Sequence, residues 1–286
     1  MARRNRYAPP SYVTKKGTSR FDLKDPYHLA VRIPWLAFIG LFLGLNLAIN
    51  LIFATLYFIA PGSIAGPVAP SFIDGFFFSF QTLATVGYGV MSPGSLAGHI
   101  IATAEIIIGM GFTAILTGLT FVRFSRPKAK VIYADSAVIT TYNGTPKLMV
   151  RIGNGRIGPL ADASARLTAL LAEHTAEGQA YRHSHDLRLR MARLPVFALT
   201  WTLMHTIDEQ SPLFGINAEW VRERSLILFL NFEARDPALA ASVHDVFQYG
   251  PDDIACGRRY ADAVSTDADG RVVADLSLIS GTIADA

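Results

Sequence analysis

The sequence predicts a membrane protein in two parts, an all-α unit of two spanning helices with a re-entrant helix between them and an all-β sandwich. Its 286 residues are 51% hydrophobic and 17% charged, whereas soluble domains carry roughly 25% charged residues. No Lys or Arg occurs between Ile33 and Val122. After Val131, short apolar runs alternate with turn signals such as Asn143-Gly144, which is typical of β-hairpins.

Two segments are apolar over the roughly 20 residues that a spanning helix needs. They predict an outer helix at residues 35–60 and an inner helix at residues 98–124. Basic residues flank this pair on both sides, so the positive-inside rule places both termini in the cytoplasm. The polar, Pro-rich start of the chain does not have the apolar core of a signal peptide. A buried hairpin of a soluble enzyme is the alternative, but such hairpins rarely stay free of cations over this length.

A short helix and a glycine-containing loop are predicted between the spans. Residues 71–84 form a segment too short to cross a bilayer, with Ser71 as its cap and Asp74 in its first turn. Glycines in the loop that follows permit backbone angles closed to other residues, so successive carbonyl groups can point the same way. Four such loops around an axis would replace the water shell of K⁺ with carbonyl oxygens. The loop therefore resembles a potassium-channel selectivity filter; its residues are Thr85, Val86, Gly87, Tyr88 and Gly89.

The wider sequence resembles the prokaryotic inward-rectifier potassium channels (KirBac type). The likeness extends from DPYHLAVRIPW at residues 25–35 through TLATVGYG, GLTFVRFSRPKAK, YNGTPKLMVRIGN and HTIDEQSPLFG. It implies a cytoplasmic N-terminus with an interfacial slide helix (1–34), a transmembrane pore domain (35–124) and a cytoplasmic immunoglobulin-like sandwich (125–286). It also implies a homotetramer that conducts K⁺ passively across the plasma membrane, here the inner membrane of a bacterium, with K⁺ held at Thr85, Val86, Gly87 and Tyr88.

The inner helix carries a stripe of residues at i+4 spacing, Gly109, Thr113, Thr117 and Phe121. The stripe could line a pore cavity that the Phe121 rings close at its cytoplasmic end, or it could be a helix-packing face. The resemblance favours the pore face. Thr113 is neutral where strong rectifiers carry an acid, which implies weak rectification. Glu105, an intramembrane carboxylate, is interpreted as a structural hydrogen-bond partner behind the short helix rather than as an ion ligand.

Basic residues at the membrane rims are candidate contacts for phosphoinositide or another anionic lipid: Arg32, Arg126, Lys128 and Lys130. Charge that only sets topology explains the same residues equally well. Val90 stands where many potassium channels carry Asp, which leaves open a less selective cation channel. A further alternative is a membrane-anchored sensor or scaffold that does not conduct.

Composition and motifs argue against other classes. The single cysteine, Cys256, cannot form an intramolecular disulfide or a Cys-rich zinc site. A net charge of +3 is too small to indicate nucleic-acid binding. His183 and His185 would share a face of a strand but are interpreted as a solvated pair. With no catalytic set or phosphate loop in a recognisable context, we expect no enzyme activity, no cofactor and no nucleic-acid partner.

Two segments of the β part are predicted to form strands. Residues 160–174 have helix propensity, but the resemblance implies a strand, which we expect because tertiary context overrides propensity. Residues 195–205 (PVFALTWTLMH) are apolar enough to predict buried strand structure throughout.

Overall fold

The computed structural model describes residues 26–66, 71–125, 127–174 and 177–285. These residues form two compact units. We call residues 26–66 and 71–125 the helical unit, and residues 127–174 and 177–285 the β unit. The predicted fold class, a membrane helical part followed by a β-rich part, is confirmed.

The helical unit contains two long apolar helices and two shorter ones. In chain order its elements are α1 (Pro26–Arg32), α2 (Trp35–Ile59), β1 (Ile64–Ala65), α3 (Phe72–Leu83), β2 (Ser92–Pro93) and α4 (Leu96–Phe124). Both α2, with 25 residues, and α4, with 29, are long and apolar enough to cross a membrane. The short strands β1 and β2 pair antiparallel and join the segments on either side of α3.

Helix α4 begins two residues before the predicted start, because Ser95 caps it. The backbone N–H of Gly98 donates to Ser95 Oγ at 3.2 Å, which satisfies one of the free donors of the first turn. Helix α3 is capped in the same way by Ser71, whose Oγ accepts from the N–H of Asp74.

The described residues of the β unit form strands of 3 to 15 residues and one short α-helix. In chain order its elements are β3 (Val131–Tyr133), β4 (Ala137–Tyr142), β5 (Thr145–Asn154), β6 (Leu160–His174), β7 (Ala180–Leu187), β8 (Arg193–Phe197), β9 (Thr200–Thr206), α5 (Ala218–Glu223), β10 (Ile227–Asp236), β11 (Ala241–Tyr249), β12 (Ile254–Cys256), β13 (Arg258–Tyr260), β14 (Val264–Thr266), β15 (Val272–Ala274) and β16 (Thr282–Ala284).

Two five-stranded sheets form the body of this unit. One has the order β12-β4-β5-β3, with β9 also on β5, and the other has the order β11-β10-β6-β7, with β8 also on β6. Alternate residues of each sheet meet in one apolar core, which includes Val150 and Leu203 from the first sheet and Leu167 and Phe232 from the second. The unit is therefore a β-sandwich, in agreement with the prediction.

Residues 160–174 form strand β6, which confirms the expectation that context overrides helix propensity. Residues 195–205 are not one continuous strand. They divide between β8, which pairs with β6, and β9, which pairs with β5, so the chain passes from one sheet to the other at residues 198–199. Apolar content alone could not show this break, because both halves face the same core.

Candidate functional site

The loop of residues 85–89 is anchored to the end of helix α3. The N–H of Ala84 donates to the carbonyl of Phe80 at 3.1 Å and closes the helix. The N–H of Thr85 donates to the carbonyl of Thr82 at 3.0 Å, and the N–H of Val86 donates to the carbonyl of Gln81 at 2.9 Å. Every backbone donor from residue 84 to residue 86 is thus used to tie the loop to the helix.

The backbone of this loop alternates between two conformations. Thr85, Gly87 and Gly89 have φ of 57°, 57° and 83°, while Val86 and Tyr88 between them lie outside the left-handed region. Positive φ is uncommon for a β-branched residue, so Thr85 is held in a strained conformation of the kind found at functional sites. A chain that alternates in this way can direct successive carbonyl oxygens to one side, the arrangement needed to coordinate a dehydrated cation.

In the single chain, side chains of this loop are exposed and there is free space beside its glycines. Tyr88 is 72% exposed and Val90 is 62% exposed. A Cβ atom built on Gly87 or Gly89 would meet nothing within 4 Å. Helix α3 ends at this loop, and its C-terminal carbonyls carry partial negative charge that favours a cation. The loop therefore has the backbone, the electrostatics and the free space that an ion path requires.

Close backbone contacts hold the segments around the loop. A Cβ atom on Gly98, in the first turn of α4, would lie 2.1 Å from the carbonyl oxygen of Ser63. A Cβ atom on Gly75 of α3 would lie 3.2 Å from the carbonyl oxygen of Ala54 of α2. Ser63 is itself tied back to α2, because its Oγ donates to the carbonyl of Tyr57 at 2.8 Å. Small residues at helix contacts are typical of membrane proteins.

The four residues of the predicted stripe on α4 do not all have the same surroundings. Thr113, Thr117 and Phe121 are exposed in the single chain, and Phe121 is 71% exposed. Gly109 is instead buried, and a Cβ atom on it would lie 2.5 Å from the carbonyl oxygen of Leu83 at the end of α3. In the single chain, Gly109 therefore does not share the exposed face of the other three residues. Residues four apart are offset by about 40° around a helix. Successive residues of the stripe therefore face further from α3 toward the C-terminal end of α4.

Glu105 lies one turn before Gly109 and is fully buried. Tyr57 Oη of α2 donates to Glu105 Oε2 at 2.7 Å, and Ser79 Oγ of α3 contacts Glu105 Oε1. The interpretation of Glu105 as a structural hydrogen-bond partner behind the short helix is therefore confirmed. Its partner on α2 was not predicted, although Tyr57 is a polar aromatic residue in an otherwise apolar span.

Arg123 makes contacts within the helical unit that the sequence did not predict. Its Nη1 and Nη2 donate to the carbonyls of Ala30 at 2.5 Å and Ile33 at 2.8 Å, at the C-terminal end of α1. Its guanidinium lies 4.7 Å from the Trp35 ring centroid and 4.4 Å from that of Phe38. Arg123 thus joins the last turn of α4 to the junction of α1 and α2, with both cation–π and charge-assisted contacts.

The four candidate lipid-binding residues are placed unequally. Lys128 and Lys130 are exposed. The backbone carbonyl of Lys128 accepts from Arg156 Nη1 at 2.7 Å. Arg126 lies outside the described residues, and so does the side chain of Arg32.

Two family models match this sequence. One, described as the inward rectifier potassium channel C-terminal domain, matches residues 131–284, and the other, described as an ion channel, matches residues 45–126. The inward rectifier potassium channel Kirbac3.1 of Paramagnetospirillum magnetotacticum is 37% identical over 268 residues, which are 93% of this chain and 90% of that protein.

More distant likenesses are weaker. The ATP-sensitive inward rectifier potassium channel 10 of Homo sapiens is 25% identical over 224 residues, which are 73% of this chain and 57% of that protein. Among solved structures, the sporulation control protein Spo0M of Bacillus subtilis covers 48% of this chain and 58% of its own at 9% identity, with a TM-score of 0.24. That score is too low to bear on the fold.

Proposed function

The chain belongs to the inward rectifier potassium channel family and conducts K⁺ across a membrane, and we propose that residues 85–89 of four copies form its selectivity filter. The observation that carries the proposal is the left-handed backbone at Thr85, Gly87 and Gly89, in an exposed loop at the end of α3. One such loop contributes one row of carbonyl oxygens, so a closed ring around the ion needs four chains. We assign the K⁺ sites to Thr85, Val86, Gly87 and Tyr88.

The lower half of α4 is proposed to line the cavity and to form the gate. Thr113 and Thr117 would face the water-filled path, and four Phe121 rings would close it by excluding water. Gly109 is placed outside this set, since it packs on Leu83. Because Thr113 is neutral, polyamines would bind the cavity weakly and intrinsic rectification would be weak.

The proposed topology places residues 1–34 and 125–286 in the cytoplasm and residues 35–124 in the plasma membrane, here a bacterial inner membrane. The absence of Lys and Arg from Ile33 to Val122, with basic residues on both sides, supports this orientation. Arg32, Arg126, Lys128 and Lys130 are proposed to meet phosphoinositide or other anionic lipid headgroups, and the lipid and the cytoplasmic domain are proposed to modulate the gate.

Rubidium uptake into proteoliposomes, with block by Ba²⁺, tests the filter. Replacing Gly87 with Ala puts a Cβ into a left-handed position, and we expect uptake to fall about tenfold, the effect of straining the backbone by about 1–2 kcal/mol. Gly111→Ala is the matched control, because a Cβ there meets nothing within 4 Å. Equal uptake by Gly87→Ala and Gly111→Ala would contradict the assignment of the filter.

A less selective cation channel is the second candidate, because Val90, at 62% exposure, stands next to the filter in place of an acid. Reversal potentials in K⁺ and Na⁺ gradients discriminate the two. A protein that takes up no rubidium at all would instead be a sensor or scaffold.

A further inference from the structure

A group of buried polar side chains lies behind helix α3, between the two spanning helices. Asn50, Ser79 and Glu105 are each 0% exposed, and Tyr57 is 3% exposed. Asn50 and Tyr57 come from α2, Ser79 from α3 and Glu105 from α4. Polar groups in a membrane interior persist only when they are paired, so this cluster has to be satisfied internally.

The orientation of the Asn50 amide is set by its own helix. Asn50 Nδ2 donates to the carbonyl of Asn46 at 2.8 Å and contacts Asn46 Oδ1 at 3.1 Å. Turning the amide over would bring two acceptors, Asn50 Oδ1 and the Asn46 carbonyl, face to face. Asn50 Oδ1 therefore points at Ser79 Oγ, which lies 3.0 Å away.

If Glu105 is ionised, the cluster has too few donor protons to make all of its contacts hydrogen bonds. Ser79 Oγ is within hydrogen-bond distance of two acceptors, Asn50 Oδ1 and Glu105 Oε1, but a hydroxyl carries one proton. The Tyr57 hydroxyl is already engaged with Glu105 Oε2. If Glu105 carries a proton on Oε1, it donates to Ser79, Ser79 donates to Asn50, and Tyr57 donates to Oε2. Every contact in the cluster is then a hydrogen bond.

The charge around the cluster agrees with a neutral acid. The sequence has no Lys or Arg from Ile33 to Val122. Among the described residues, the ion pairs involve Arg156, Arg224 and histidines of the β unit rather than Glu105. A buried carboxylate with no cation beside it is strongly disfavoured, whereas a neutral carboxyl that donates and accepts is not.

We propose that Glu105 is held as a neutral carboxyl whose hydrogen bonds to Ser79 and Tyr57 position helix α3, and with it the loop of residues 85–89, between α2 and α4. Glu105 is a positioning residue, since it acts through α3 and does not touch the ion. Gly109 packs on Leu83 one turn further along α4. The two contacts together hold the end of α3, two residues before Thr85. This inference rests on the proposed filter.

The two substitutions of Glu105 separate charge from hydrogen bonding. E105Q keeps the shape, with a carbonyl that accepts from Tyr57 and an amide that donates to Ser79, so it reproduces the neutral acid. E105L has a similar size but leaves the Tyr57 hydroxyl without its partner, while Ser79 keeps only Asn50. We expect E105Q to keep the wild-type ratio of rubidium to sodium uptake within about twofold, and E105L to lower that ratio about tenfold, the effect of leaving one buried polar group unsatisfied.

A structural role alone would lower the amount of folded protein without changing the uptake ratio, so the ratio is the deciding measurement. Because E105L could fail to fold, Y57F provides a second variant that removes one hydroxyl and nothing else. We expect Y57F to lower the ratio less than E105L does. Infrared spectroscopy of the full-length protein in lipid then reports the protonation state, since a protonated carboxyl has a C=O stretch that E105Q would remove.

Three outcomes would overturn the proposal. E105Q as damaging as E105L would mean that the charged form is required. A Y57F or E105L channel with the wild-type uptake ratio would show that the contacts do not position the filter. An infrared spectrum unchanged by E105Q would show that Glu105 is not protonated. Wild-type and Gly87→Ala proteins measured alongside keep the filter itself under test, so its failure is distinguishable from failure of the Glu105 proposal.

Discussion

Different kinds of contact stabilise the interior of the helical unit and the interior of the β unit. In the β unit, large apolar side chains such as Leu203 and Phe232 are 0% and 2% exposed and meet in one core. In the helical unit, only five of the 25 residues of α2 are buried, and one of the five is Asn50. Apolar side chains of α2 such as Leu43, at 66% exposure, point outward.

The solvent of each unit explains the difference. Around the β unit, water makes burial of apolar surface favourable by about 25 cal/mol per Å². Lipid tails are as apolar as leucine, so burying a leucine between membrane helices gains little. Helices in lipid are instead specified by close contact of small residues and by hydrogen bonds. Gly98 on Ser63 and Glu105 with Tyr57 and Ser79 are contacts of these two kinds.

Truncating a core leucine to alanine is expected to have the largest effect, and it tests the comparison between the two units most directly. Leu203→Ala opens a cavity between the two sheets, and we expect it to cost about 3 kcal/mol, or about 6–12 °C in the unfolding midpoint of a unit of this size. The matched truncation Leu43→Ala shortens a side chain that faces outward, and we expect the free energy of unfolding to change by no more than about 0.5 kcal/mol. Thermal unfolding of the full-length protein, followed by tryptophan fluorescence, measures both.

Trp201 and Trp220, two of the three tryptophans, lie in the β unit, so the fluorescence signal reports mainly on that unit. Helical circular dichroism reports on α2 and α4 for the Leu43 variant. If Leu43→Ala destabilises the protein as much as Leu203→Ala does, the contrast between the two units is wrong.

A second, intermediate effect is expected from adding atoms to the helical unit. Gly98→Ala would place its Cβ 2.1 Å from the Ser63 carbonyl oxygen, so α4 must shift away from the segment that precedes α3. We expect a loss of about 1–3 kcal/mol, the usual cost of overpacking, together with reduced rubidium uptake. Helical circular dichroism during heating measures the first and proteoliposome uptake the second.

Gly111→Ala is the control on the same helix, because a Cβ there has open space within the chain. Alanine also has the higher helix propensity, so this variant should be neutral or slightly more stable. Stable, fully active Gly98→Ala protein would show that the close contact does not specify the helical unit.

The smallest effect concerns a polar residue inside the β unit, where burial in an apolar core has a pH-dependent cost. His205 is 5% exposed, with Nδ1 2.9 Å from the Arg188 carbonyl and Nε2 2.8 Å from Ser211 Oγ. Burial lowers the pKa of His205 below its usual value, against the smaller opposing influence of the Arg188 carbonyl and Asp208. The folded state therefore binds fewer protons than the unfolded state just below pH 6.5, the ordinary histidine value, and stability is lost as the pH falls through this range.

We expect the unfolding midpoint of the wild-type protein to fall by a few degrees as the pH is lowered below about 6.5, and we expect His205→Gln to reduce this dependence. His183→Gln is the control, because the His183 side chain is 58% exposed. An equal pH dependence in wild-type and His205→Gln proteins would contradict the assignment of the effect to His205.

The two units also differ in how far their sequences predict their structures. The spans and the re-entrant helix follow from runs of apolar residues, and the loop of residues 85–89 from its glycines. Strand β6 shows the limit of propensity, because its helix-forming residues pair with β7, β8 and β10. Residues 195–205 show the limit of hydropathy, because a run of apolar residues does not reveal that the chain changes sheets.

The site itself was predicted only in part. The i+4 spacing placed Gly109 with Thr113, whereas the structure turns Gly109 toward Leu83. Glu105 was identified as a partner of α3, but Tyr57 and Asn50 were not identified as members of the same cluster. Nothing in the order of residues places Asn50, Ser79 and Glu105 together, since they are 26 or more residues apart along the chain.

The sequence by itself determined what is local: apolar length, the missing cations, the capped short helix and the glycines that permit a left-handed backbone. Those features depend on a residue and its near neighbours, and they are enough to indicate a membrane protein and a filter. The tertiary structure decided what depends on contacts between helices, namely which face of α4 meets α3 and which groups Arg123 contacts. It also decided how many protons the cluster of Asn50, Tyr57, Ser79 and Glu105 needs. A proton count requires distances, and distances between remote residues exist only in the folded chain.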